Sequence, residues 1–187
     1  AGGAESVSRV EFALSEVASS LSGSNCPKPG PNQAWPHQIH CWLTIARLYL
    51  KMEQPMDAAQ CIQEASIIFP MSHQIMFMKG QVLERKGELT EAQHCYENAL
   101  AVNPHHTPSL RHLGVVYQQQ GSSRLAEKTL LDAVKVDPLD HHAWCALGEV
   151  TRSLGEVERS SECLITAIEL QRTAPVMPFA SLLPCFS

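Results

Sequence analysis

The sequence predicts an all-α fold, a right-handed α-solenoid of four stacked helix–turn–helix units preceded by one further helix. Two observations predict it. A column of prolines recurs at one constant spacing: Pro70, Pro104 and Pro138. Two columns of glycine follow the same spacing: Gly80, Gly114 and Gly148, and Gly87, Gly121 and Gly155. A fixed period of this kind is typical of a repeat array, in which each unit covers the apolar face of its neighbour.

The period and the residues that recur within it are those of the tetratricopeptide repeat. The four units are residues 39–72, 73–106, 107–140 and 141–174. Large residues, small residues and prolines recur in a constant order at the structural positions Trp42, Tyr49, Pro70, Gly80, Tyr96, Pro104, Gly114, Tyr117, Pro138, Trp144 and Gly148. The fourth unit departs from the pattern, because Thr151 stands where Tyr is usual and Ser160 stands where Ala is usual.

Each recurrent residue type has a mechanical reason. A Gly inside a helix costs ~1 kcal/mol relative to Ala, which is tolerable where the Gly lets another helix approach closely. We therefore expect Gly80, Gly114 and Gly148 to lie inside the first helices of their units. The other glycine column fits the left-handed position just past a helix. The prolines should stop the second helices.

The chain divides into four predicted regions. Residues 1–21 include a helix over Ser6–Leu21, which we interpret as part of an upstream repeat because its apolar residues recur at helical spacing. Residues 22–36 are rich in Ser, Gly and Pro and predict a loop. Residues 37–174 contain the four repeats. Residues 175–187 form an apolar tail whose prolines forbid a continuous helix, and we expect it either to fold back over the last helix or to dock a partner.

Composition and motifs indicate a protein without chemistry of its own. The formal charge of -5 and the pI near 6.0 argue against nucleic acid as a partner, because a nucleic-acid binder usually carries a basic stripe. No apolar run approaches the roughly 20 residues that span a bilayer. Seven cysteines occur without a Cys-x-x-Cys pair, which favours reduced thiols. We predict no metal, no cofactor and no catalytic residue, so that the chain is not an enzyme.

Cysteine and histidine positions have structural interpretations. Cys61, Cys95 and Cys163 occupy the same position in three units and are predicted to pack as small apolar residues. Two His-His pairs fall at junctions between units. Adjacent side chains on a helix point about 100° apart, so such pairs are poorly placed to chelate one ion and are interpreted as polar junctions.

The first helices of such repeats line a concave groove, and this groove is the predicted protein-binding surface. Its candidate residues are mixed in character, and each has an ordinary solvated position as the alternative interpretation: His40, Leu43, Arg47, Lys51, Phe77, Gln81, Arg85, Arg111, Gln118, Glu149 and Arg152. Phe179 in the tail is a further apolar candidate. A peptide-binding adaptor that uses this groove is the alternative function.

A co-chaperone adaptor is disfavoured. Chaperone adaptors of this fold hold a peptide carboxylate with a set of Lys, Asn and Arg side chains on neighbouring first helices. At the matching positions this chain has Leu43, Arg47, Met78, Pro108 and His112, of which only Arg47 is suited to bind an anion.

Three segments, VEFALSEVASS, FPMSH and PVMPF, resemble the C-terminal part of the tetratricopeptide repeat protein 7 family, and the resemblance covers essentially the whole chain. It implies a non-catalytic scaffold that assembles a phosphatidylinositol 4-kinase complex and targets it to the plasma membrane, in phosphatidylinositol phosphate biosynthesis. The implied partners are the kinase, a hyccin-family protein and a lipid-anchored membrane protein. The implied location is cytoplasmic, and peripheral at the plasma membrane through these partners, without direct membrane insertion. The closing residues ASLLPCFS depart from the family's usual ending.

Overall fold

The structure, a computed structural model, describes residues 31–174 of the chain and the side chains of residues 38–174. The described residues form eight α-helices: α1 Pro31–Lys51, α2 Pro55–Ile68, α3 His73–Lys86, α4 Leu89–Val102, α5 Thr107–Gln119, α6 Ser123–Val136, α7 His141–Ser153 and α8 Val157–Thr173. No strand occurs among them, and the predicted fold class is confirmed. None of these helices has the length and apolarity that would let it cross a membrane.

The described residues divide into two compact units, residues 31–70 and residues 71–174. In the first unit α1 packs against α2. In the second unit the repeats are the pairs α3 with α4, α5 with α6 and α7 with α8, and each second helix also packs against the first helix that follows it. The run of repeats predicted over residues 37–174 is therefore divided at Pro70, with one repeat in the first unit and three in the second.

The predicted loop over residues 22–36 is wrong at its C-terminal end. Helix α1 begins at Pro31, so residues 31–36 are helical. A proline is compatible with the first position of a helix, where its missing amide hydrogen would have had no partner. The Ser, Gly and Pro content of the segment predicted that this proline would lie in a loop. The remainder of that loop, the predicted helix Ser6–Leu21 and the tail of residues 175–187 lie outside the described residues.

The glycines within the first helices mark the closest approach between paired helices. A Cβ atom on Gly80 would lie 2.5 Å from Cε1 of Tyr96, and one on Gly114 would lie 2.6 Å from Cγ of Leu130. Gly148 has the same relation, at 2.8 Å, to a leucine on the second helix of its repeat. Interiors are packed too densely to admit an atom at these distances. The expected close approach is confirmed, and it explains why the helix-weakening residue is used.

Both predicted kinds of helix stop are present. Gly87 has a φ of 83°, and its amide donates a hydrogen bond to the Glu84 carbonyl at the end of α3. The equivalent glycines also have left-handed φ angles, 81° at Gly121 and 84° at Gly155. Helices α2, α4 and α6 each end two residues before the proline of their repeat. The glycine stops limit α3, α5 and α7 to 13 or 14 residues, and the proline stops limit α2, α4 and α6 to 14 residues.

The two departures in the fourth repeat are both accommodated in the core. Thr151 is fully buried, and its hydroxyl donates to the Leu147 carbonyl at 2.9 Å. Ser160 is 4% exposed, and its hydroxyl donates to the Gly148 carbonyl at 2.8 Å. A buried hydroxyl without a partner would be costly. These polar residues are tolerated because each one bonds to a nearby helix carbonyl.

Candidate protein-binding surface

The candidate residues on α1 separate into an exposed set and one core residue. Three of them are exposed: His40, Arg47 and Lys51. The prediction for Leu43 is wrong, because its side chain is only 4% exposed. Leu43 belongs with Ala46 and Leu50 to the buried stripe of α1, whose spacing of three and four residues is that of one helix face. It is a packing residue and does not offer a contact to a partner.

The second unit carries the other described candidates. Three of them are exposed, namely Arg85, Glu149 and Arg152, and four are half-buried, namely Phe77, Gln81, Arg111 and Gln118. We use the term first-helix surface for the solvent-accessible side chains of α3, α5 and α7, which carry these seven residues. Phe179 lies outside the described residues.

A polar cluster lies where α3, α4 and α5 meet. The Tyr96 hydroxyl donates to Oε2 of Glu84 at 2.6 Å, and Nδ1 of His112 lies 3.0 Å from the same oxygen. The other ring nitrogen of His112 lies 3.2 Å from the side-chain amide nitrogen of Gln81. Nδ1 of His112 donates to the Glu84 carboxylate, and its Nε2 lies beside the Gln81 amide. The candidate Gln81 therefore orients a histidine of the next repeat.

Glu84 remains ionised in this cluster. Burial alone would raise the pKa of its carboxyl, but the hydrogen bond and charge of His112 and the hydrogen bond from Tyr96 lower the pKa below its usual value. A carboxylate that accepts several hydrogen bonds is favoured in its charged form. The cluster thus holds a fixed negative charge beneath the first-helix surface.

An aromatic cluster adjoins the polar one and crosses the junction between the second and third repeats. The ring of Phe77 meets the rings of His106 and His112 edge to face, with centroids 5.1 Å and 5.3 Å away. The ring of His73 meets His106 in the same way at 5.0 Å. Edge-to-face pairs at these distances contribute roughly 0.5–1.5 kcal/mol each beyond the area they bury. Phe77, a predicted groove contact, is thus also an anchor between repeats.

The half-buried His106 makes stability depend on pH. Two effects lower the pKa of His106 from 6.5 to about 4: its burial, which is the larger, and the neighbouring His73. Between these two pH values, His106 is therefore protonated in the unfolded chain but not in the folded chain. Stability contributed by this group is complete above pH 6.5 and is lost as the pH falls toward the folded value. We expect the urea midpoint of the chain to decrease between about pH 6.5 and pH 4.

The variant His106→Asn isolates this contribution. Asparagine does not titrate and is a good residue for the start of a helix, so the decrease of the urea midpoint over that pH range should become smaller. His105→Asn is the matched control, because His105 is the exposed neighbour. If both variants changed the pH dependence of the urea midpoint equally, His106 would not be the group responsible for it.

Arg111 ties the third repeat to the fourth. Its Nη1 atom lies 3.0 Å and 3.2 Å from the two carboxylate oxygens of Asp140. Asp140 also caps α7, since its Oδ1 accepts the backbone amide of His142 at 3.0 Å. Sequence reasoning placed Arg111 in the groove and overlooked Asp140. The preference of Asp for helix N-caps was the signal that could have identified it.

A second ionic network joins α6 to α8 on the second helices. Oε1 of the largely buried Glu127 accepts from Arg159 at 2.9 Å, and its other oxygen pairs with Arg124 at 3.2 Å. Both arginines also pair with Glu156. No sequence pattern predicts this network, because its members lie on different repeats and carry no motif.

The first-helix surface differs in charge from the chain as a whole. Helices α3, α5 and α7 contain five Lys or Arg residues and two Glu residues, whereas the whole chain has a net charge of -5. Among residues 38–174 no group of three or more His, Cys, Asp or Glu side chains could hold a metal ion. The chemistry that this surface offers is recognition by charge, hydrogen bonds and a partly accessible aromatic ring.

Three cysteines at the same position of their repeats, Cys61, Cys95 and Cys163, pack as predicted. Cys61 is 5% exposed, and Cys95 and Cys163 are half-buried. Burial, with the nearby Asp57 carboxylate, raises the pKa of the Cys61 thiol to about 11. A thiol needs to be ionised to act as a nucleophile, so the position of Cys61 is suited to packing.

Comparisons with known proteins agree with the repeat period. The tetratricopeptide repeat family matches residues 43–92, 78–122 and 111–161. Tetratricopeptide repeat protein 7B of Homo sapiens is 45% identical over 172 residues, which are 92% of this chain and 20% of that protein. Tetratricopeptide repeat protein 7A of Homo sapiens is 39% identical over 173 residues, again 92% of this chain and 20% of the relative. The chain thus spans about a fifth of the length of these curated relatives.

The fold also matches solved structures. The structure of Pseudomonas aeruginosa pilF aligns with a TM-score of 0.70 over 76% of this chain and 65% of that chain, at 20% sequence identity. At this identity the likeness concerns the fold alone.

Proposed function

This chain belongs to the tetratricopeptide repeat family, and from that premise we propose that it is the interaction module of a scaffold that holds a phosphatidylinositol 4-kinase at the plasma membrane. The role is non-catalytic: the module contributes surface to an assembly. The observation that carries the proposal is the 45% identity to tetratricopeptide repeat protein 7B over 92% of the chain.

The general part of this role follows from the family. The resemblance to tetratricopeptide repeat protein 7 is confirmed over nearly the whole chain, and a tetratricopeptide module is a protein-interaction scaffold whose partners are proteins. The specific partners are part of the proposal: the kinase, a hyccin-family protein and a lipid-anchored membrane protein. Through them the module would be peripheral at the plasma membrane.

Two surfaces of the second unit can supply contacts of the kind that stabilise protein interfaces. The first-helix surface exposes Arg85 and Arg152, and Arg is among the residues enriched in binding hot spots. The C-terminal end of α4 and the turn after α6 expose apolar side chains, with Val102 exposed by 45% and Leu139 by 74%. An apolar anchor beside a polar rim is the usual anatomy of a protein interface.

Binding of the whole chain to a purified hyccin-family protein tests the proposal directly. We expect saturable binding in interferometry with a Kd of about 1 μM or tighter, which corresponds to a binding free energy of about -8 kcal/mol. A chain that is helical by circular dichroism and shows no binding would overturn the proposed complex.

Two matched double variants then locate the contact. Arg85→Glu with Arg152→Glu reverses charge on the first-helix surface, and Val102→Asp with Leu139→Asp changes the turn edge, with all four residues exposed. We expect the pair on the true interface to weaken binding by at least about tenfold, the loss of one hot-spot contact, and the other pair to leave it unchanged.

A peptide-binding adaptor is the second candidate, and the excess of basic residues on α3, α5 and α7 favours it. Such a groove would take an acidic extended peptide, because opposite potentials attract across an interface. Fluorescence anisotropy with a labelled acidic peptide and with a basic peptide of equal length distinguishes this function. Binding of the acidic peptide that Arg85→Glu with Arg152→Glu abolishes would support it, and equal binding of both peptides would refute it.

A further inference from the structure

The last of the described helices, α8, exposes the face that the preceding second helix buries. In α6 this face carries Leu131 and Val134, which pack with the buried side chains of α7. Val134 is only 8% exposed. The residues one repeat later in α8 are Ile165 and Ile168. Their side chains are exposed by 56% and 57%. The face of α8 thus has the apolar character of an interior surface of the array.

An apolar end is unusual for a repeat array, because terminal units normally present a polar outer face. Exposed neighbouring apolar side chains tend to mark a surface that something else covers. The equivalent face of α6 is covered by a first helix that begins after a short turn. The covering element in this array therefore enters directly from the C-terminal end of the second helix.

We propose that residues 175–187 of this chain cover α8 by taking the place of a further first helix. Pro175 follows His141, the first residue of α7, by the same interval at which His141 follows Thr107, the first residue of α5. Proline is favoured at the first position of a helix. The tail therefore starts at the register where a first helix starts.

The same register places apolar residues of the tail over the exposed isoleucines. Met177 and Ala180 stand one repeat period after Ala143 and Ala146, which pack in the same core cluster as Val134 of α6. Pro178 and Pro184 stand one period after Trp144 and Val150, which are both helical in α7. Prolines at these positions disfavour a continuous helix. The tail can thus cover α8 with a short segment but cannot form a complete further repeat.

A photocrosslinking experiment on the whole chain tests this placement. The variant Ile168→p-benzoylphenylalanine puts the photoprobe on the exposed face, and Lys128→p-benzoylphenylalanine on exposed Lys128 of α6 is the control. Trypsin cuts after Arg172 and leaves residues 173–187 as one peptide. We expect a link within one chain from position 168 to that peptide, centred on Met177 to Ala180, and none from the control.

Two further measurements separate specific docking from the proximity of a tethered tail. Adding Met177→Asp should reduce the yield of the link several-fold while the helical signal is unchanged. Amide hydrogens of residues 179–183 should exchange at least about tenfold more slowly than in an unstructured peptide. Links spread along the tail that Met177→Asp does not alter, together with exchange at the unstructured rate, would overturn the proposal. Links between two chains would overturn it in favour of a second copy covering α8.

Discussion

Gly114→Ala is expected to lower the free energy of unfolding by about 1–3 kcal/mol, the usual range for overpacking a filled core. Alanine is the better helix former by ~1 kcal/mol, so helix propensity alone predicts the opposite sign. Packing prevails because the new methyl group would lie 2.6 Å from Cγ of Leu130, which is fully buried. Urea unfolding followed by circular dichroism measures the difference.

The partner residue provides the decisive control. Leu130→Ala alone should cost about 2–5 kcal/mol, because it leaves a cavity in the core. In the double variant the methyl group on residue 114 gains the space that the leucine vacates. The double variant should therefore be less destabilised than the sum of the two single variants, by at least about 0.5 kcal/mol. Additive losses would show that the two side chains do not compete for the same space.

Tyr96→Phe is expected to cost about 1.5–3 kcal/mol at neutral pH, the range for hydrogen bonds to charged groups. The ring stays in its buried place, and what is lost is the hydroxyl that donates to Glu84 at 2.6 Å. Tyr117→Phe is the matched control, because its hydroxyl donates to Glu97 at 3.0 Å in a more exposed setting. The control should lose less than about 1 kcal/mol.

The pH dependence of this difference follows from the charge of Glu84. Its folded pKa is lowered below 4.5, so the stability it contributes is complete above that value and is lost as the pH falls through the folded pKa. The cost of Tyr96→Phe should decrease in that acidic range. Equal costs for the two tyrosine variants, or a cost that grows on acidification, would exclude an ionised Glu84 as the acceptor.

The fold could be predicted from the sequence because its determinants recur at a fixed spacing. Gly80, Gly114 and Gly148 each allow the second helix of their repeat to approach closely. Because they recur at the same position of three repeats, the pattern can be recognised in the sequence alone. The start of α1 was mistaken, since a single proline at position 31 is compatible both with a breaker and with a first helical residue.

The candidate surface was harder to predict because its contacts cross between repeats. Gln81 and His112, in neighbouring repeats, are 31 residues apart, and Asp140, which binds Arg111 from 29 residues away, caps the first helix of the next repeat. These separations depend on how far each repeat is rotated relative to its neighbour. The spacing of residues within one helix carries no information about that rotation. Leu43 was misassigned for a related reason, since a rotation of one residue around α1 moves a side chain from the groove to the core.

The contacts between neighbouring repeats have an evolutionary consequence. Within the described part of the second unit, α5 touches both α3 and α7, whereas α3 and α7 have no substantial packing with each other. A substitution on α3 therefore perturbs the adjoining repeat and leaves the outer one largely undisturbed, as expected for a chain of nearest-neighbour interactions. Selection can accordingly change the contacts of one repeat for one binding partner while those of a more distant repeat drift or adapt separately.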